Sequence, residues 1–236
     1  MTAPDRPTLL LVPGLLCDDD LYAAQQAALG DVADVVVPDI RPAGSVEQMA
    51  RAVLDAAPER FALAGLSLGG YVVLEVLRQA RSRVTRVALL DTSARPESAE
   101  QTARRRALLD LVDDQGLDAG LQALWPTEVA PGRVADAALH DRFLAMCRRS
   151  GRDVLVRQVQ AIMARADSRP DLPGLDLPLL VLCGRQDAIT PLDGHEEMAR
   201  LAPRAQLVVL DDCGHLSTWE QPDAVTGELR RWLTAG

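Results

Sequence analysis

The sequence predicts an α/β fold, with a mostly or wholly parallel sheet of about six strands between layers of helices. Six short runs are continuously apolar rather than alternating, which is typical of strands buried on both faces of a parallel sheet. Most of the runs are separated by amphipathic stretches of helical length, and this alternation favours a parallel sheet. The apolar runs are residues 8–13, 34–39, 61–65, 86–91, 179–184 and 206–211.

Five amphipathic stretches predict the helices that flank this sheet. The first, "DDDLYAAQQAAL", opens with acidic residues, which favour a helix N-terminus because they face the positive end of the helix dipole. Each stretch lies between two of the apolar runs or after the last one. The predicted helices cover residues 20–29, 46–57, 68–80, 191–202 and 221–233.

The alternation of strands and helices is interrupted between residues 96 and 172. This segment carries four helical patterns and no strand pattern. Ligands of α/β proteins bind outside the carboxyl ends of the parallel strands, and an all-helical insertion there would form a roof over the site. We therefore expect an α/β core of residues 1–95 and 173–236, with residues 96–172 inserted as a helical cap.

Composition excludes several classes of protein. The 236 residues are 48% hydrophobic, enough for one sizeable core. The formal charge of -9 provides no basic field, so neither nucleic acid nor an anionic membrane is expected as a partner. Lysine is absent, which excludes a Schiff-base lysine and a Walker-type phosphate lysine. Without a GxGxxG motif or metal-spaced histidines and cysteines, we expect no cofactor and no metal.

The sequence also predicts where the protein resides. The N-terminal residues lack the basic start and the longer apolar run of a signal peptide. No apolar stretch approaches the roughly 20 residues that a membrane-spanning helix needs. We therefore expect a cytoplasmic protein, and nothing in the sequence indicates its oligomeric state.

Ser67 lies in an apolar context that predicts a strand followed at once by a helix, "FALAGLSLGG". A sharp strand-to-helix turn strains the residue at its apex and presses its neighbours against adjacent backbone. Glycines two positions before and after the apex, here Gly65 and Gly69, relieve that crowding. Such a turn displays the hydroxyl above the sheet and makes Ser67 a candidate nucleophile. The alternative is a serine that only caps the helix.

A serine nucleophile needs a base, and the base needs an orienting carboxylate. His215 lies in the loop after the last apolar run, where a base above the sheet is expected, whereas His140 lies within the helical segment. His195 begins a charged helix and is expected at the surface. Asp187, in the loop after the preceding run, gives the order serine, aspartate, histidine. Asp91, at the end of the run after the serine turn, remains an alternative acid.

Two backbone N–H groups are expected to form an oxyanion hole. Leu15 follows the first strand and Leu68 follows the serine, and each donor contributes on the order of 3 kcal/mol to transition-state stabilisation. Apolar residues near the site or in the helical segment are candidates for the substrate pocket. Each has the alternative role of packing the helices against the core. The candidates are Leu16, Trp125, Phe143, Met146, Met163 and Leu216.

Four motifs, "VPGLLCD", "GLSLGG", "GRQDAITP" and "DDCGH", resemble those of the α/β-hydrolase family. The chain is most similar to the compact, helix-capped members, such as microbial carboxylesterases and enol-lactone hydrolases. The resemblance extends over nearly the whole chain. It implies that Ser67 attacks the acyl carbon of a small ester, lactone or thioester, that His215 takes its proton, and that water hydrolyses the acyl-enzyme.

The sequence departs from the family pattern in two places. Pro13-Gly14 stands where the family usually has His-Gly, so the backbone donor is retained but the usual histidine is lost. Only seven residues precede the first strand, so the two antiparallel strands with which the family's sheet usually starts are not expected. The sheet is therefore expected to be wholly parallel.

Other activities fit the same residues. A carbon–carbon bond hydrolase or a cofactor-free perhydrolase would use the same triad, and a non-catalytic ligand receptor of this fold would retain it. Serine at the turn argues against the dehalogenases and epoxide hydrolases of the family, which carry aspartate there.

Overall fold

A parallel sheet organises the fold. In the computed structural model, which describes residues 6–235, six strands form one sheet in the order β2-β1-β3-β4-β5-β6, and each neighbouring pair is parallel. The prediction of a wholly parallel sheet is confirmed. The strands are β1 (Thr8–Val12), β2 (Asp34–Val36), β3 (Phe61–Leu66), β4 (Val84–Leu90), β5 (Leu179–Gly184) and β6 (Ala205–Leu210).

The alternation of residues along β1 explains why the strands read as continuous apolar runs. Leu9 and Leu11 belong to the core cluster on one face of the sheet, and Leu10 and Val12 belong to the cluster on the other face. All four side chains are fully buried. A strand covered on both faces needs apolar residues at every position. The edge strand β2 is partly exposed and ends at Val36, three residues before the predicted end.

Helices cover both faces of the sheet. Helices α1 and α10 contribute to the first core cluster, whereas α2, α3 and α8 contribute to the second. Among the residues that the structure describes, no helix is both long and apolar enough to cross a membrane. The helices outside the predicted cap are α1 (Ala23–Leu29), α2 (Val46–Ala56), α3 (Leu68–Ala80), α8 (Leu192–Leu201), α9 (Ser217–Glu220) and α10 (Pro222–Thr234).

Residues 96–172, referred to below as the helical insertion, connect β4 to β5. The insertion begins with a capping box, in which Ser98 Oγ accepts the Gln101 N–H and Gln101 Oε1 accepts the Ser98 N–H. The second helix of the insertion continues through Pro126 to Glu128. The four helices are α4 (Ala99–Gln115), α5 (Leu117–Glu128), α6 (Ala137–Ser150) and α7 (Arg152–Met163).

The order of the strands determines where loops converge. The chain passes from β1 outward to β2 and then returns to β3 on the other side of β1. The crevice at such a reversal is the usual ligand site of an open α/β sheet. Because Val12 pairs with Gly65, the loop after β1 and the turn after β3 emerge side by side.

Candidate active site

Ser67 occupies the turn between β3 and α3 with a strained backbone. Its φ of 55° and ψ of -118° lie in a region that residues with a side chain rarely adopt. The turn is held by hydrogen bonds, since the Ser67 N–H donates to Leu90 O at 3.0 Å and its carbonyl accepts from Thr92 Oγ1 at 2.7 Å. Ser67 is half-buried, whereas Leu66 and Leu68 on either side of it are buried.

The glycines around Ser67 are required by close backbone packing. A Cβ at Gly65 would lie 2.4 Å from the carbonyl carbon of Gly69, and a Cβ at Gly69 would lie 2.0 Å from Val12 O. Both distances are far below van der Waals contact. The start of α3 therefore packs directly on the ends of β1 and β3, which is possible only without side chains at these positions.

His215 and Asp187 form a buried pair. His215 Nδ1 lies 2.7 Å from Asp187 Oδ2, and the two residues are 2% and 5% exposed. Asp187 also accepts hydrogen bonds from the Ile189 N–H and from the N–H and hydroxyl of Thr190, at 2.7–2.9 Å. These contacts fix the carboxylate with one oxygen directed at the imidazole.

The pair shifts the pKa of both its members. Burial alone would raise the pKa of Asp187, but the charge and hydrogen bond of His215 and the Thr190 donors outweigh burial and lower that pKa. Burial likewise disfavours the charged imidazole, but the Asp187 carboxylate outweighs it and raises the pKa of His215. The ionised carboxylate therefore stabilises a protonated His215.

Asp91, the alternative acid, contacts other groups. Its carboxylate accepts the Gly184 N–H at 2.9 Å and the hydroxyl of Ser217. Asp91 is fully buried, and this burial, followed by the nearby charge of Asp187, raises its pKa well above the ordinary value. Of the two carboxyl groups that the sequence left open, Asp187 is the one hydrogen-bonded to His215.

The other two histidines are not hydrogen-bonded to Asp187 or Ser67 in the part of the chain that the structure describes. The expectation that His195 is at the surface is wrong, because His195 is fully buried and its Nε2 accepts the Thr92 N–H at 2.9 Å. Burial lowers the pKa of His195 to about 4, so its ring is neutral near pH 7. His140 stacks on Trp125 with 4.9 Å between ring centroids.

The loop after β1, residues 13–18, is held by the helical insertion. Leu16 has a φ of 59°, its N–H donates to Gln158 Oε1 at 2.8 Å, and its carbonyl accepts from Ser150 Oγ at 3.0 Å. Both polar backbone groups of Leu16 are therefore bonded to residues of the insertion. Among residues 6–235, no hydrogen bond occupies the N–H of Leu15 or of Leu68. Leu15 lines the cavity described next, whereas Leu68 is fully buried and is not among its lining residues.

Ser67 and His215 line one cavity of about 180 Å³ together with Leu15 and Leu216. Ligand sites for drug-sized molecules are typically about 300–1,000 Å³, so this cavity fits a smaller molecule. The rest of the lining comes from the end of β3, from the loops after β1 and β5, and from the insertion. The lining residues of the insertion are Glu97, Gln101, Arg104, Arg105, Leu108, Leu124, Thr127, Glu128 and Ile162.

Most of the predicted apolar pocket residues lie elsewhere. Leu216 lines the cavity, but the other five candidates do not. Four of these are buried in the core, where they pack the insertion against the α/β body, and the fifth is partly buried against the same cluster. The apolar stripes of these helices therefore contact the core. The five residues are Leu16, Trp125, Phe143, Met146 and Met163.

Charged residues of the cavity were not found by sequence reasoning. The Glu97 carboxylate, 1% exposed, accepts Arg105 Nε at 2.5 Å and also pairs with Arg165. Glu128 is 9% exposed and lines the same cavity. Charged residues in a helical pattern normally indicate a solvent-facing side, and nothing in the sequence distinguishes these residues from surface charges.

Comparisons with known proteins agree with this architecture. The sequence pattern of the alpha/beta hydrolase fold family matches residues 7–222. Among solved structures, the esterase of Thermogutta terrifontis is 31% identical with a TM-score of 0.85, covering 97% of this chain and 90% of its own. The enol-lactonase of Burkholderia xenovorans LB400 is 26% identical with a TM-score of 0.87, covering 99% and 94%. The pimeloyl-[acyl-carrier protein] methyl ester esterase of Nitrosomonas europaea is 29% identical, covering 72% and 70%.

The chain belongs to the α/β-hydrolase fold family. The family match extends over nearly all of the chain, and the parallel six-stranded sheet flanked by helices agrees with it.

Proposed function

We propose that the protein hydrolyses a small carboxylic ester or lactone with Ser67 as the nucleophile. The hydrogen bond between His215 Nδ1 and Asp187 Oδ2, beside a cavity that Ser67 also lines, is the observation that supports this proposal most strongly. The similar proteins named esterase and enol-lactonase support ester and lactone bonds as the class of bond cleaved.

In the first half of the reaction, Ser67 Oγ attacks the acyl carbon and His215 takes the hydroxyl proton. The carbonyl oxygen becomes an oxyanion, to which the N–H groups of Leu15 and Leu68 donate. Asp187 stabilises the imidazolium and holds the ring in the required tautomer. The tetrahedral intermediate then expels the alkoxide, which leaves as the alcohol after His215 returns the proton.

In the second half, water attacks the acyl-enzyme and His215 takes the water proton. A second tetrahedral intermediate breaks down to the carboxylic acid and free Ser67, whose oxygen receives the proton back from His215. In a lactone, the alcohol and the acid are parts of one product. No step requires a metal or a cofactor, since the nucleophile, the base and the oxyanion donors are all groups of the chain.

The helical insertion has the role of a cap in this proposal. It contributes nine of the residues that line the cavity and bonds both polar groups of Leu16. We propose that residues 96–172 restrict which substrates reach Ser67, while residues 1–95 and 173–236 form the catalytic core. A cavity of about 180 Å³ favours a short acyl group.

Hydrolysis of p-nitrophenyl acetate by the wild type and by Ser67→Ala tests the proposal. We expect Ser67→Ala to lose at least about 1,000-fold in kcat, because residual catalysis without the nucleophile comes only from the oxyanion hole and binding. Equal rates for the two proteins would refute it. A panel that includes a carbon–carbon ring-fission substrate and a peracid assay then distinguishes ester hydrolysis from the other activities of this triad.

A further inference from the structure

Glu128 carries a carboxyl group that the proposed reaction does not use. It is the last residue of α5, is 9% exposed, and lines the cavity together with Ser67 and His215. Within residues 6–235, its carboxyl group makes neither a hydrogen bond nor an ion pair, whereas Glu97 in the same cavity is bonded to two arginines. Among the described residues, its oxygens are not fully buried, so they keep access to the cavity and can bind a ligand there.

The backbone around Glu128 is fixed to the loop that carries His215. The Leu216 N–H donates to Glu128 O at 2.9 Å. Glu220 bridges the same two segments, because its Oε1 accepts the Gly214 N–H at 2.9 Å and its Oε2 accepts the Ala130 N–H at 2.8 Å. Three hydrogen bonds therefore hold the end of α5, and with it the backbone of Glu128, against the His215 loop.

The backbones of the two segments pack directly against each other at Gly214. A Cβ at Gly214 would lie 2.3 Å from both Ala130 N and the carbonyl carbon of Val129. Glycine is therefore required at position 214 for this approach. The arrangement fixes the backbone of Glu128 relative to the His215 loop, and a substrate-binding side chain needs such a rigid support.

Burial favours the neutral form of Glu128, whereas the nearby charges act in both directions. Burial raises its pKa, His215 and Arg105 oppose this shift, and Asp187 and Glu220 reinforce it. A neutral carboxylic acid donates one hydrogen bond and accepts others, whereas a carboxylate only accepts. A hydroxyl group both donates and accepts, so it is the ligand group that satisfies Glu128 in either protonation state.

We propose that Glu128 determines substrate specificity by binding a hydroxyl group of the substrate, so that hydroxylated esters or lactones are the preferred substrate class. This inference rests on the proposed function, since it concerns the substrate that Ser67 attacks. The substrate hydroxyl group lies on either the acyl part or the alcohol part of the ester.

Matched pairs of esters, in which a methyl group replaces the hydroxyl, test the inference. One pair is methyl 3-hydroxybutanoate and methyl 3-methylbutanoate, and the other is 2-hydroxyethyl butanoate and propyl butanoate. We expect wild-type kcat/KM to favour the hydroxylated member of at least one pair by about tenfold, because an enclosed carboxyl group would otherwise stay unpaired. The preference should fall below about twofold in Glu128→Leu and in Glu128→Ala.

The readout is the ratio of two kcat/KM values measured on one preparation, so the fraction of correctly folded enzyme cancels. Glu128→Gln should retain the preference, because an amide also donates to and accepts from a hydroxyl. Glu59→Gln, at an exposed position outside the cavity, is the matched control and should leave the ratio unchanged.

Two outcomes would overturn the assignment of Glu128. The first is a wild type that prefers the hydroxylated member of neither pair, and the second is a preference that persists in Glu128→Leu and Glu128→Ala. Ser67→Ala, assayed with all four esters, tests the proposed function separately. If Ser67→Ala is inactive and the preference does not depend on Glu128, the nucleophile assignment stands and only the specificity assignment fails.

Discussion

Replacing Gln158 by leucine tests how the helical insertion controls the loop that presents the Leu15 N–H. Gln158 is fully buried in α7, and its Oε1 accepts the Leu16 N–H at 2.8 Å. Gln158→Leu leaves that buried donor unpaired, at a cost of about 1–3 kcal/mol. For a chain of this length each kcal/mol lowers the Tm by about 2–4 °C, so we expect a decrease of about 2–12 °C.

The same substitution should slow catalysis. Leu16 has a strained, positive φ and adjoins Leu15, so losing the Gln158 bond lets the loop relax and turns the Leu15 N–H away from the oxyanion. Complete removal of one oxyanion donor costs about 100- to 1,000-fold in kcat. A misdirected donor retains part of its effect, so we expect about a 10- to 100-fold decrease in kcat with little change in KM.

Initial rates with p-nitrophenyl acetate give kcat and KM, and inhibition by a trifluoromethyl ketone provides a second readout. The ketone forms an anionic adduct with Ser67, so its affinity should decrease by about the same factor as kcat. Gln158→Glu retains an oxygen acceptor and should remain closer to the wild type, and Gln160→Leu, at an exposed position of the same helix, should have no effect. An unchanged kcat in a destabilised but folded Gln158→Leu would refute the positioning role.

Two further predictions concern the acid and the serine turn. Asp187→Asn should lower kcat on the order of 1,000- to 10,000-fold. Protonated His215 cannot act as a base, so kcat/KM should fall as pH decreases through the pKa of His215. The Asp187 carboxylate raises that pKa. In a pH–rate profile, Asp187→Asn should therefore move the fall in kcat/KM to lower pH. Gly69→Ala should lower the free energy of unfolding in urea by about 3 kcal/mol, since its Cβ would meet Val12 O at 2.0 Å. A Cβ at Gly132 would have no atom within 4 Å, so Gly132→Ala should leave the free energy of unfolding unchanged. A pH profile unaffected by Asp187→Asn, or equal stability of the two alanine variants, would contradict the respective prediction.

The sheet was predictable because burial on both faces leaves a direct trace in the sequence. Leu9 to Val12 alternate between two core clusters, so none of these positions tolerates a polar residue. The ends of strands are less well determined by sequence, as β1 ends before Pro13 and the edge strand β2 ends at Val36. The apolar run extends past β2 because Val37, outside the strand, also packs against the core.

The cavity was much less predictable than the positions of Ser67, Asp187 and His215. An apolar stripe on a helix indicates a buried face but not whether that face meets the core or a cavity. On α5, Trp125 faces the core and Glu128, three residues later, lines the cavity. The sequence does hold a signal for the burial of His195, since it precedes buried Met198 by three residues on one face of α8.

Labelling with a fluorophosphonate probe tests the central claim, that Ser67 is a nucleophile activated by His215, most directly. Intact-mass measurement followed by peptide mapping should find one adduct, on the peptide that contains Ser67. Ser67→Ala should remain unlabelled, and His215→Ala should react at least about 100-fold more slowly, because the hydroxyl then has no base. An unlabelled wild type, or a Ser67→Ala variant labelled at the wild-type rate, would contradict the claim.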